Sequence, residues 1–163
     1  MGLIFAEKRS KNIEMYLEIL SSYVRQIDKL RDIRLWDLNN NAVVNSMRII
    51  KILKNIERLD WKYIGMVSGK IRQNVVKYRK KEKLSINEEK LLSAVKHMDK
   101  EISGCIKLLS QIVTQVTNEK GVITAATQKK YIQTSEWILT LVNHLWTYQN
   151  FVEEISKRYR IEI

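Results

Sequence analysis

The sequence predicts an all-α protein, an up-down four-helix bundle of long helices that forms one domain over residues 1–163. The chain has no proline and five glycines, whereas a β-rich domain of this length needs many turns and therefore more of both. Hydrophobic residues make up 45% of the chain, which is enough for a core and too many for a disordered protein. Apolar residues also recur in steps of three and four along four long segments, which is the spacing of one helix face.

The first segment runs from about Glu7 to Trp36. Its apolar positions share one helix face: Ile13, Tyr16, Leu17, Leu20, Tyr23, Val24, Ile27 and Leu30. The run Asn39-Asn40-Asn41 predicts the first break in the helical pattern, because asparagine favours turns and helix caps.

The second segment runs from about Ala42 to Lys83. Its apolar seam is Ile49, Ile52, Ile56, Leu59 and Tyr63, followed in steps of four by Val67, Ile71, Val75 and Tyr78. Gly65 and Gly69 mark the expected site of a kink. A full break there would divide the segment and raise the number of helices to five.

The third segment opens with Ser85 and Glu88, a serine and a glutamate spaced as in a capping box, and runs to about Asn118. Its seam is heptad-like: Leu91, Val95, Met98, Ile102, Cys105, Leu109, Ile112 and Val116. Gly121 suits the left-handed position that often follows a helix.

The fourth segment is capped by Thr124 and runs to about Arg160. Its seam is Tyr131, Ser135, Ile138, Leu141 or Val142, Leu145, Tyr148 or Gln149, Val152, Ile155 and Tyr159. Short connections between helices of similar length favour antiparallel neighbours, as in an up-down bundle.

Positive charge is concentrated in the second segment. The formal net charge of the chain is +11, which favours polyanionic partners such as RNA, DNA or an anionic membrane surface. Residues 48–83 hold twelve lysines and arginines and three acids, so they carry nine of the eleven net positive charges. Five of the cations recur at helical spacing and share an arc of about 120° opposite the apolar seam. They are Arg48, Lys51, Lys54, Arg58 and Lys62.

Further cations lie towards the end of the same segment: Arg72, Lys77, Arg79, Lys80, Lys81 and Lys83. Cations near a helix C-terminus complement the helix dipole, but five within residues 77–83 exceed that need. Trp61 stands among the cations and off the seam, where an exposed indole can stack on an unpaired base. The alternative for Trp61 is packing at a helix crossing or an oligomer contact.

We therefore expect a non-enzymatic protein that binds nucleic acid, RNA or DNA, as an accessory or coat-like subunit of a larger assembly. One alternative is a self-assembling structural or membrane-surface scaffold, built as a helical-hairpin oligomer. Another is an adaptor or inhibitor that docks on an acidic protein surface. A membrane is the less favoured polyanion, because the second helix uses its apolar face for the core.

The sequence offers no recognisable catalytic or metal site. No glutamate has a histidine three positions later, and His97 with Glu101 is too small a ligand set. Residues 65–70 depart from a phosphate loop in their glycine spacing and lack its serine or threonine, so close helix packing or a kink is the better account. We expect no cofactor and no small-molecule substrate. The single cysteine, Cys105, and the lack of about 18 consecutive apolar residues suggest a cytoplasmic protein.

Overall fold

A computed structural model describes residues 10–31, 38–80, 83–118 and 123–163 of the chain. Over these residues the protein is all-helical, with six helices and no strand. The helices are α1 (Lys11–Asp28), α2 (Leu38–Glu57), α3 (Trp61–Arg79), α4 (Ile86–Lys96), α5 (Met98–Asn118) and α6 (Ala125–Arg158). The all-α prediction is confirmed, but the described residues form six helices rather than four or five.

The second predicted segment breaks at residues 58–60, between α2 and α3, and not at its glycines. Asp60 caps α3, since its carboxylate accepts a hydrogen bond from the backbone N–H of Tyr63 at 3.1 Å. The backbone N–H of Asp60 donates to the Tyr23 hydroxyl at 2.8 Å. A side chain of α1 therefore satisfies one of the backbone groups that the break exposes.

Gly65 and Gly69 lie inside α3, on the side that meets Lys96 of α4. A Cβ atom placed on Gly65 would lie 3.5 Å from the Cα atom of Lys96, and one on Gly69 would lie 3.7 Å from Lys96 Nζ. Both are ordinary van der Waals distances, so an alanine would fit at either position. The split of the helix that was expected at these glycines does not occur, and the helix packing there agrees with the other alternative left open by the sequence.

The third predicted segment is divided at His97, where the backbone leaves the helical conformation between α4 and α5. The capping box at its start is confirmed: Ser85 Oγ accepts from the Glu88 N–H at 3.1 Å, and Glu88 Oε1 accepts from the Ser85 N–H at 3.0 Å. Thr124 likewise caps α6, because its hydroxyl accepts from the Thr127 N–H at 3.2 Å.

Two predicted helix boundaries have different outcomes. The run Asn39-Asn40-Asn41, expected to be a break, lies inside the first turns of α2. Asparagine is well tolerated near a helix start, so the run does not separate helices there. Gly121, the predicted residue after a helix end, lies outside the described residues.

The described residues group into two compact units. Unit 1 takes its residues from Met1–Val24, Asp60–Met98 and His144–Ile163. Unit 2 takes its residues from Arg25–Leu59 and Asp99–Asn143. Helices α1 and α6 contribute to both units. The assignment of residues 1–163 to one domain stays a prediction.

Unit 1 is built from antiparallel helices around buried tyrosines. Contacts pair Tyr16 with Tyr63 and Tyr23 with Trp61, so α1 and α3 run in opposite directions. The Tyr16 hydroxyl donates to the Ile64 carbonyl at 3.3 Å and lies 2.7 Å from the Tyr148 hydroxyl of α6. Burial raises the pKa of Tyr16, and it raises the pKa of Tyr148 to about 12.

Unit 2 contains the clearest heptad seam of the sequence. All of the seam positions predicted for the third segment are buried except Leu91, whose neighbour Leu92 is buried in its place. The seam residues that belong to unit 2 are Ile102, Cys105, Leu109, Ile112 and Val116. On the described part of α2 the buried apolar positions are Ile49, Leu53 and Ile56, so Leu53 is buried in place of the predicted Ile52.

Candidate nucleic-acid interface

Four cations of unit 2 lie on the outer face of α2 and the turn that follows it. They are Arg48, Lys51, Lys54 and Arg58, hereafter the α2 stripe, and all four are exposed. At about 100° per residue they fall on one arc of the helix, opposite the buried Ile49, Leu53 and Ile56. Arg58 lies one residue past the end of the helix. The outward orientation follows from the apolar side chains, which hold the other face of α2 in the core.

No carboxylate among the residues that the structure describes forms an ion pair with the α2 stripe. Glu57, the acid at the end of α2, accepts a hydrogen bond from Ser103 Oγ of α5 at 2.6 Å. That bond draws Glu57 towards the neighbouring helix. The stripe is therefore a surface of one charge sign, which attracts a polyanion and repels other cations.

The structure adds two apolar side chains to this face of α2, Val44 and Met47, which are 62% and 58% exposed. Both lie within the arc of the α2 stripe, because Val44 stands four residues before Arg48 and Met47 four residues before Lys51. Neither residue was predicted from the sequence to belong to the site, although the spacing of both relative to the cations is visible there.

Lys62, the fifth member of the predicted stripe, lies on α3 in unit 1 rather than on α2. Its side chain is exposed. The prediction of one continuous helix bearing all five cations is wrong, because the chain leaves the helical conformation at residues 58–60.

Trp61 is buried, with 4% of its surface exposed, so the suggestion of an exposed indole that stacks on a base is wrong. Its ring packs edge-on against Tyr23, with ring centroids 5.2 Å apart. Trp61 is buried because a separate helix, α3, begins at this residue. The buried face of α3 consists of positions at helical spacing that include Trp61, Ile64, Ser68, Ile71 and Val75.

Two cations of α3 are neutralised by glutamates of α4. Arg72 donates to both carboxylate oxygens of Glu89, at 3.0 and 2.9 Å, and Arg79 donates to Glu88 at 2.8 Å. The hydrogen bond from Arg79 lowers the pKa of Glu88, and that from Arg72 lowers the pKa of Glu89. Arg72 and Arg79 were predicted to contact nucleic acid, but the structure shows that they join α3 to α4.

The remaining predicted cations are Lys77, Lys80 and Lys83, which are exposed, and Lys81, which lies outside the described residues. Lys77 belongs to the last turn of α3, and Lys80 follows the helix with a backbone φ of 29°. These lysines lie in unit 1, whereas the α2 stripe lies in unit 2. The structure thus divides the predicted site between the two units, and within the described residues neither group forms an ion pair.

Outside these cations, the thiol of Cys105 is a reactive group buried in unit 2. Burial raises the pKa of the Cys105 thiol to about 12, and the negative charge of Glu101 adds to the shift. The thiol therefore stays protonated and is a poor nucleophile. No group of three or more His, Cys, Asp or Glu side chains is positioned to hold a metal ion within residues 10–31, 38–80, 83–118 and 123–163.

An open groove of about 470 Å³ lies between α4 and α6 in unit 1, with Leu91, His144 and Phe151 among its lining residues. The polar side chains along it include Asn87, Lys90 and Asn150, which are exposed. The groove has no buried polar group that would orient a ligand.

Among the described helices, none is both long enough and apolar enough to cross a membrane. Comparison of the chain with protein-family models, curated proteins and solved structures finds no match.

Proposed function

We propose that this protein is a non-enzymatic, nucleic-acid-binding accessory or coat-like subunit that contacts RNA or DNA through the α2 stripe. The observation that supports the proposal is the exposed arc of Arg48, Lys51, Lys54 and Arg58, which forms no ion pair with a described carboxylate. The wider up-down bundle is part of the same proposal. It is supported in unit 1 by the antiparallel course of α1 and α3.

The spacing of the α2 stripe suits a phosphate backbone. Ten residues separate Arg48 from Arg58, which corresponds to about 15 Å of helix at 1.5 Å per residue. Over that length a duplex carries about nine phosphate charges, so each of the four cations can meet its own phosphate. Contacts with phosphates carry no information on base identity, and we therefore propose binding that tolerates many sequences.

The salt dependence of binding follows from the number of cations. Each phosphate contact releases a condensed counterion, so four contacts give a log–log slope of about −3.6 for duplex and about −2.8 for a single strand. Raising the salt concentration from about 50 to about 200 mM then weakens duplex binding on the order of 100-fold. A slope of this size is large enough to measure by fluorescence anisotropy with a labelled oligonucleotide.

The test compares two double charge reversals that change the net charge equally. Lys51→Glu with Lys54→Glu removes the centre of the α2 stripe, and Lys129→Glu with Lys130→Glu alters two exposed lysines of α6. We expect the α2 pair to reduce the magnitude of the salt slope by about two, since two phosphate contacts are lost. The α6 pair should leave the slope close to that of the unmodified chain. Equal effects of the two pairs would show that overall charge, and not the α2 stripe, causes the binding.

An anionic membrane surface is the second candidate partner, favoured by Val44 and Met47. These exposed apolar side chains share the arc of the cations, as expected of a helix that lies on a lipid surface. Met47→Gln, which leaves the charge unchanged, separates the two candidates. It should strongly reduce co-sedimentation with phosphatidylserine vesicles if the membrane is the partner, and it should leave oligonucleotide binding almost unchanged if nucleic acid is the partner.

A further inference from the structure

The last residues of the chain are held in a groove by side chains of α3 and the start of α1. After α6 ends at Arg158, residues 159–163 are not helical; we call them the strap. Four side chains, here called the strap groove, hydrogen-bond to the strap: Ser10, Asn12, Asn74 and Tyr78. All of these residues belong to unit 1.

Every one of these bonds is made to the backbone of the strap. Ser10 Oγ donates to the Ile161 carbonyl at 3.3 Å, Asn12 Nδ2 to the Ile163 carbonyl at 3.0 Å and Tyr78 to the Arg160 carbonyl at 2.8 Å. The groove therefore recognises the course of the backbone, as a neighbouring strand does in β-strand addition.

Asn74 makes the most specific contact with the strap. Its Nδ2 donates to the Glu162 carbonyl at 2.9 Å, while its Oδ1 accepts from the Glu162 N–H at 3.3 Å. One side-chain amide thus satisfies both backbone groups of a single residue, in the manner of a paired peptide unit.

Two strap side chains, Tyr159 and Ile161, pack against unit 1. The Tyr159 ring stacks on Tyr78, with ring centroids 5.3 Å apart. Ile161 is 2% exposed, whereas its neighbours Arg160 and Glu162 are exposed. The two neighbours form an ion pair with each other, Arg160 Nε lying 3.4 Å from Glu162 Oε1. The strap therefore carries an apolar anchor between two oppositely charged side chains that pair with each other.

We propose that the strap is exchangeable between two copies of this chain: the strap groove of one copy binds the strap of a second copy, which links them as a dimer. Exchange preserves every contact, because the same residues meet in either arrangement. It requires a change of backbone direction at the end of α6, where the Tyr159 N–H donates to the Ile155 carbonyl at 2.8 Å, and the Tyr159 ring then stacks on Tyr78 of the second copy. The groove is also coupled to α1, since Ser10 Oγ accepts from the Ile13 N–H that begins this helix. The proposal is independent of nucleic-acid binding.

The experiment uses complementation between two full-length variants. The strap variant, Ile161→Asp, keeps an intact groove, and the groove variant, Asn74→Ala with Tyr78→Phe, keeps an intact strap. The strap variant loses the apolar anchor, and the groove variant loses three of the five hydrogen bonds to the strap, so each variant binds its own strap weakly. A mixture contains one intact groove and one intact strap. The control carries all three substitutions. Each variant is concentrated near its denaturation midpoint, returned to native conditions and weighed by native mass spectrometry.

We expect a heterodimer from the mixture of strap and groove variants, homodimers from the unmodified chain, and monomers from each variant alone. In the mixture, the Glu162 amide of the groove variant should regain protection from hydrogen exchange, by about fivefold for one recovered hydrogen bond. If Ile161→Asp does not fold, Ile161→Ala takes its place in the same mixture. Monomers in both the mixture and the unmodified chain would overturn the proposal. Dimers of the triple variant as abundant as those of the unmodified chain would overturn it as well, because they would use another surface.

Discussion

Replacing Gly104 by alanine tests how closely α5 and α6 pack in unit 2. A Cβ atom at position 104 would lie 2.7 Å from Cη2 of Trp137, and 3.5 Å from Cζ2 and Cζ3 of the same ring. Carbon atoms in contact are normally about 3.5–4.0 Å apart. The indole therefore has to move before the methyl group fits, and the packing of α6 around it has to change.

Two opposing effects determine how much each alanine substitution changes the free energy of unfolding. An alanine inside a helix is favoured over glycine by about 1 kcal/mol. Forcing a methyl group into a filled core costs about 1–3 kcal/mol. At Gly69 the new Cβ would lie 3.7 Å from Lys96 Nζ, an ordinary contact, so only the favourable term applies there. We therefore expect Gly69→Ala to be more stable than Gly104→Ala by about 1–3 kcal/mol in free energy of unfolding.

The assay is urea unfolding followed by far-ultraviolet circular dichroism, with both substitutions in otherwise identical chains. A second pair places Gly104→Ala in a chain that also carries Trp137→Leu, which removes the indole. In that background the alanine should become as favourable as the one at Gly69, and the double-mutant cycle isolates the contact. If Gly104→Ala stabilises the unmodified chain as much as Gly69→Ala does, the reasoning from the Trp137 contact is refuted.

Two further predictions concern titration and thiol chemistry. The pKa of Glu88 lies below its ordinary value of 4.5 because of Arg79, so the stability that this pair contributes is complete above about pH 4.5 and is lost as the pH falls through the lowered value. Glu88→Gln should accordingly flatten the loss of unfolding free energy in acid, while Glu154→Gln, at an exposed pair with Arg158, should not; identical acid profiles would contradict this. Cys105 should react with a disulfide reagent only through opening of unit 2, so its rate should rise steeply with urea, and rapid reaction in native buffer would contradict its burial.

The long, regular parts of the fold were predictable because burial repeats with the helix. Every apolar position assigned to the first segment, from Ile13 to Leu30, is buried. The caps at Ser85 and Thr124 were also correct, since each depends on residues within one turn of the helix.

The breaks in the helical pattern at residues 58–60 and at His97 were harder to predict, because neither contains glycine or proline. At residues 58–60 the signal was Asp60, a helix cap that stands within a run of charged residues. Extending the seam of α2 past this point placed Trp61 on the outer face. Counting again from Asp60 would have placed Trp61, Ile64 and Ile71 on one face and predicted the burial of the indole.

The exposure of the candidate site residues could be predicted only where the apolar and polar pattern of a single helix determines which side chains face outward. The outward orientation of Arg48, Lys51 and Lys54 follows from the apolar face of α2. The partners of Arg72 and Arg79 do not follow from the pattern, because Glu89 and Glu88 lie on the next helix and reach them through the antiparallel packing of α3 and α4. A count of charges along one helix cannot include carboxylates from its neighbour.

The paired hydroxyls of Tyr16 and Tyr148 limit how the helices of unit 1 can slide along one another. Aliphatic seams tolerate a shift by one turn, about 5.4 Å, because one leucine or isoleucine replaces another at the contact. The 2.7 Å bond between the two hydroxyls would not survive such a shift, and the Ile64 carbonyl would lose its donor. Burying those groups without partners costs about 1–3 kcal/mol each. The tyrosine pair thus selects one alignment of α1, α3 and α6 among several that apolar contacts alone would allow.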